Sequence, residues 1–134
     1  MKLNNMLPVV IATAVLLILL TTVSTTYPGR DDAMLIEVMT SWNELVFKIA
    51  VEEDSLLTLK GLRTAGMMHL AIHDALNAID TKYGSYAYIG KAENANELAA
   101  VAQAAFDVVS SQYPDQAPEL KRKLESELAQ VNSA

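Results

Sequence analysis

The 134-residue chain contains no cysteine and only two histidines. The first absence excludes a disulfide scaffold, thiolate metal sites and thiol catalysis, so any stability comes from an ordinary packed core. Basic residues are also scarce: 10 Lys and Arg stand against 16 Asp and Glu, for a formal charge of −6. The densest basic run is Lys121-Arg122-Lys123, too little for a nucleic-acid surface, which needs clustered cations against phosphates. Also missing are a Gly-x-Ser-x-Gly nucleophile elbow, a phosphate loop and a dinucleotide fingerprint. The length bounds the chain to one domain or less.

What is plentiful is apolar residues, and many of them lie at the start. Residues 6–20 read MLPVVIATAVLLILL, preceded by Lys2 and followed by Thr21-Thr22-Val23-Ser24-Thr25-Thr26. A basic start, an apolar stretch and a run of small residues are the plan of an export signal, with Thr22 and Ser24 at the −3 and −1 positions of a cleavage site. An uncleaved anchor is the alternative, because about 17 apolar residues can just span a bilayer. The sequence therefore divides into a signal or anchor at 1–25 and a helical domain at 26–134, about half apolar, on the periplasmic side, secreted or membrane-anchored.

The fold class expected is all-α, with about four amphipathic helices. Asp31 or Asp32 is placed as an N-cap before Leu35, Val38, Trp42, Leu45 and Ile49, one face of a helix of about 20 residues ending near Glu53. A second helix is expected from Asp54 or Ser55 to Ile79, with Leu62, Ala65, Met68 or His69, Ile72, Ala75 or Leu76 and Ile79 facing inward. Gly61 and Gly66 mark either a break in it or a close helix approach. Residues 80–93 carry two glycines and three tyrosines without a helical stripe, an irregular connection. Asn94 and Glu97 have the form of a capping box for an Ala-rich third helix, whose inner face is Leu98, Ala102, Ala105 and Val109. Tyr113-Pro114 ends it. Pro118 then opens a fourth helix with Leu120, Leu124, Leu128 and Val131 inward and Glu119 and Lys123 as an i,i+4 pair.

The densest polar group is in the second helix, where His69 and His73 are one turn apart and Asn77 and Asp80 continue the same edge. Two such histidines with Asp80 or Asp74 form a conceivable metal site. It has too few ligands and lacks the Glu of a zinc-protease motif, so packing and hydrogen bonding of the imidazoles is the favoured reading. Asp74 and Asn77 are read as short polar groups bonding to a neighbouring element. Glu52-Glu53-Asp54 reads as a solvated helix boundary rather than a cation site. Tyr83, Tyr86 and Tyr88 are expected to pack their loop onto the helices rather than to line a ligand groove. Trp42 is expected in the core.

Taken in order, SWNEL at 41–45, LRTAGMMHLAIHDALNAID at 62–80, KYGSY at 82–86, the Ala-rich ANELAAVAQAAFDVV and YPDQ at 113–116 resemble the N-terminal part of bacterial vanadium-dependent haloperoxidases of the PAP2 (type 2 phosphatidic acid phosphatase) superfamily. The resemblance covers roughly residues 40–128 and is strongest at 68–78. It implies an exported helical bundle, a vanadate or phosphate cofactor site in the full-length family, and halide oxidation or phosphate-ester hydrolysis. The oxyanion ligands of the family lie later, in Lys-x6-Arg-Pro, Pro-Ser-Gly-His and Ser-Arg-x5-His motifs, and none of these is present here. Binding such an anion takes several convergent cations and backbone donors. The resemblance thus carries over no catalytic or cofactor-binding residue. It makes Trp42, Met68, His69, His73, Asp74 and Asn77 scaffold residues, and it sets the final Val131-Asn132-Ser133-Ala134 near the loop that leads to the catalytic half.

Three expectations follow. The first is a non-catalytic N-terminal fragment of a haloperoxidase-like or PAP2 phosphatase-like protein, whose partner is the missing catalytic half or a further copy of itself. The second is a stand-alone accessory module pairing with a separate catalytic chain. The third is a small metal protein built on His69 and His73.

Overall fold

The computed structural model describes residues 30–55 and 59–131. The export segment and its cleavage site lie outside the described residues. Among the described residues the fold consists of four helices: α1 (Arg30–Asp54), α2 (Leu59–Ile79), α3 (Glu97–Gln112) and α4 (Ala117–Val131), with a 3-10 turn at Pro114–Gln116 before α4. The architecture is all-α, with no strand among the described residues. No described helix is long and apolar enough to cross a membrane.

Helix α3 is the hub, packing against α1, α2 and α4. Its buried face is Val101, Ala102, Ala105 and Val109, and small side chains let three neighbours approach closely. Around it Trp42, Val46, Ile49 and Ala50 of α1, Ala65, Met68 and Ile72 of α2, and Leu120 and Leu124 of α4 close one core. Truncating a fully buried residue such as Met68 to Ala costs about 2–5 kcal/mol, because a cavity adds to the lost transfer energy.

Several local assignments differ from expectation. Helix α1 begins at Arg30, so Asp31 and Asp32 occupy its first turn rather than its cap. It ends at Asp54, where Ser55 takes a left-handed φ of 61° that stops the helix. Helix α2 runs unbroken through Gly61 and Gly66. Gly61 is buried, whereas a Cβ at Gly66 would meet nothing within 4 Å. Gly66 therefore marks neither a break nor a close approach among the described residues. Leu62, placed inward by spacing, is 49% exposed, while Thr64 is buried in its stead because its hydroxyl donates to the Lys60 carbonyl at 2.8 Å. The cap of α3 is Asn96, whose side chain accepts from the Ala99 N–H at 3.0 Å, and not Asn94. Lys123 pairs with Glu127 at 2.6 Å rather than with Glu119.

Candidate functional site

Counting along α2 at helical spacing, Leu59, Leu62, Gly66, Leu70, His73 and Asn77 share one outward stripe. Its C-terminal half is covered by residues 81–88, which follow directly in sequence. Asp74 and Asn77, though polar, are buried to 4% and 5% exposure beneath that loop.

Asp74 accepts three successive main-chain N–H groups: Tyr86 on Oδ1 at 2.7 Å, and Ala87 and Tyr88 on Oδ2 at 2.6 and 2.8 Å. Consecutive N–H groups turned to one side make a small anion-binding nest, and here the anion is a side chain of the same molecule. The Tyr86 N–H, then those of Tyr88 and Ala87, hold the Asp74 carboxyl below its ordinary value against the opposing effect of burial, with a small contribution from His73. A carboxylate stabilised in its charged form, with both oxygens engaged, is unsuited to proton transfer near neutral pH.

Asn77 uses both ends of its amide. Its Oδ1 accepts from the N–H groups of Lys82 and Tyr83 at 3.0 and 2.9 Å, and its Nδ2 donates to the Tyr83 carbonyl and the Ser85 hydroxyl at 2.9 and 3.2 Å. The Thr81 hydroxyl adds a bond to the Asn77 carbonyl at 3.0 Å. His73 Nε2–H donates to the Gly84 carbonyl at 3.2 Å, and its ring lies 6.0 Å from that of Tyr83. The loop is thus fastened through its main chain. Its tyrosines do not pack inward as expected: Tyr83, Tyr86 and Tyr88 are all exposed. Once the backbone supplies the attachment, the rings are left outside.

The proposed metal ligands are spread over different partners. His69 Nε2 meets Asn43 Oδ1 of α1 at 3.0 Å, His73 is on the loop carbonyl, and Asp80 pairs with Lys82 at 2.6 Å. No group of three or more His, Cys, Asp or Glu able to hold a metal occurs among the described residues. The cations and converging donors around the polar string are likewise engaged within the chain. Arg63 donates to Gln112 at 3.1 Å, Lys60 lies 4.0 Å over the Tyr113 ring, and the converging N–H groups of 86–88 are filled by Asp74.

The acidic run at the end of α1 is tied to neighbours: Glu52 to Lys48 at 3.8 Å, Glu53 to Gln116 at 2.5 Å, and Asp54 to the Tyr113 hydroxyl at 3.2 Å. Tyr113 is buried, and burial followed by its bond to Asp54 raises its phenol above the ordinary value. In sequence it stands out only as a helix stop, although its place four residues after Val109 continues the inner stripe of α3. Trp42 is fully buried, and its Nε1–H donates to Glu127 of α4 at 2.7 Å. Lys123 completes that cluster, 5.1 Å over the indole and bonded to Ser41 at 2.8 Å.

The chain matches no protein-family model, no curated protein and no solved structure.

Proposed function

We propose that the chain is a non-catalytic helical module, the exported N-terminal part of a vanadium-dependent haloperoxidase-like or PAP2 phosphatase-like protein, acting as scaffold for a catalytic half that carries the oxyanion ligands. The supporting observation is the engagement of the 68–80 polar string within the chain itself. Asp74, Asn77 and His73 are spent on fastening the loop, and His69 on bonding α1. The bare half of the α2 stripe, Leu59, Leu62 and Leu70 with Met67 beside it, supplies this reading with an apolar surface for the second half.

The test is to assay the purified chain with vanadate, peroxide and bromide, and with a phosphate monoester. It is then repeated with an added polypeptide bearing the Pro-Ser-Gly-His and Ser-Arg-x5-His segments. The chain alone is expected to turn over neither substrate and to co-elute with the added half. Turnover by the chain alone overturns the proposal.

The same bare stripe favours a second reading, a stand-alone accessory module that pairs with a separate catalytic chain. A compact monomer with a sharp thermal transition supports this over a fragment, which would be oligomeric or molten. The metal-protein reading is decided by metal analysis of the wild type beside His73→Ala: stoichiometric metal lost in the variant would establish it.

A further inference from the structure

Four of the most exposed large apolar residues among the described ones lie in one short loop. Ile89 is 89% exposed, Tyr86 74%, Tyr83 70% and Tyr88 55%. The backbone of this loop is nonetheless fastened at residues 82–88 to Asp74, Asn77 and His73. The N–H groups of 86–88 turn inward to Asp74, so the side chains project away from the bundle. Tyr88 lies across Gly90, where a Cβ would overlap its ring. Rings carried on a fastened backbone bind at lower entropic cost than rings on a mobile loop.

The position of this loop in the fold indicates what it meets. Helix α2 runs back along α1, with His69 against Asn43, so the loop after Ile79 lies at the end of the bundle where α1 begins. Met34 and Leu35 near that start border the same cleft as Ala95–Leu98, just after the loop. In sequence the apolar run ends at Leu20, and the nine residues between it and Arg30 reach at most about 30 Å fully extended. On the reading of the run as an uncleaved anchor, the chain that carries it joins the bundle at Arg30, the end that carries the exposed rings. Tyrosine, with an apolar body and a polar tip, is the side chain suited to the headgroup level of a bilayer.

We propose that residues 83–89 form a membrane-surface contact, in which Tyr83, Tyr86, Tyr88 and Ile89 enter the interfacial layer of a bilayer. The contact is apolar rather than electrostatic. Lys82 has its carboxylate in Asp80 at 2.6 Å and Lys91 in Glu93 at 3.7 Å, so the loop carries no net charge to attract anionic lipid. Binding is therefore indifferent to headgroup charge and to salt.

The lack of cysteine makes the test direct. The full chain carrying Ala87→Cys takes a single environment-sensitive fluorophore and is mixed with vesicles of phosphatidylcholine, or of phosphatidylcholine with phosphatidylglycerol. The expected result is a blue shift of emission on both, unchanged by salt. The shift should be absent with the label at Arg122→Cys on α4, and lost when Tyr86→Ser and Tyr88→Ser are added with the helical circular dichroism intact. Emission unchanged by either vesicle overturns the proposal. A shift confined to anionic vesicles and abolished by salt overturns it in favour of charge attraction. A shift without vesicles, accompanied by doubling of mass, overturns it in favour of a second copy covering the loop.

Discussion

The two halves of the outward face of α2 are built on the same helical spacing and end in opposite conditions. At the C-terminal half, His73, Asp74 and Asn77 are polar and covered. At the N-terminal half, Leu59, Leu62, Met67 and Leu70 are apolar and bare. Hydrophobicity alone would assign them the other way round. The difference comes from what each half can offer a loop. A chain leaving α2 in an irregular conformation needs partners for its main-chain N–H and C=O groups. Carboxylate, amide and imidazole supply them within a few residues of the turn, and leucines cannot.

The largest effect expected from breaking this arrangement is that of Asp74→Ala, which leaves three N–H groups without their charged acceptor. The amides of Tyr86, Ala87 and Tyr88 should exchange with solvent at rates approaching those of an open loop, and the thermal midpoint should fall further than for any other single change in this face. Asn77→Ala comes next, costing about 1–3 kcal/mol in chemical denaturation, because the donors of Lys82 and Tyr83 lose a neutral acceptor.

Acid sharpens the same contrast. The Asp74 carboxyl titrates below its unfolded value of about 4. Its contribution is complete above that pH and fades as pH falls through the folded value. The gap in thermal midpoint between wild type and Asp74→Asn should stay constant from about pH 7 to 5 and close below about pH 4. If the gap closes well above pH 5, the loop is not held by the ionised carboxylate.

The bare half should respond weakly. Gly66→Ala is expected to stabilise by about 0.5–1 kcal/mol, since a helical glycine gains propensity and its Cβ meets nothing within 4 Å. Leu62→Lys is expected to change unfolding by less than about 0.5 kcal/mol, as for other surface substitutions. A large loss at Leu62 would mean that this half is covered in solution.

Much of the fold was legible because helices announce themselves by spacing. The stripe of α4, Ala102, Ala105 and Val109 on α3, the stop at Tyr113-Pro114 and the core position of Trp42 follow from periodicity and proline chemistry, whereas Val101 takes the buried place on α3 that spacing assigns to the half-buried Leu98. The rotation of α2 was not legible, because Thr64 hides its polarity on its own backbone and so can take a core position that spacing gave to Leu62. The cap at Asn96 and the pairing of Lys123 with Glu127 turn on one-residue or one-turn choices between equally suitable candidates. In the candidate site, the polar string stood out in the sequence, but its partners did not. They are backbone N–H groups, which every residue carries and no motif marks.

The single tryptophan of the chain gives the fold an internal witness. Trp42 lies in the core of α1 with its indole N–H on Glu127 and the Lys123 ammonium above its ring, so its emission reads the attachment of α4. The loop beyond α2 has no such reporter. Releasing that loop with Asp74→Ala should leave the tryptophan spectrum of the native state unchanged while amide exchange rises, and detaching α4 should do the reverse. The loop and the attachment of α4 can thereby be watched separately in one sample, without adding a label.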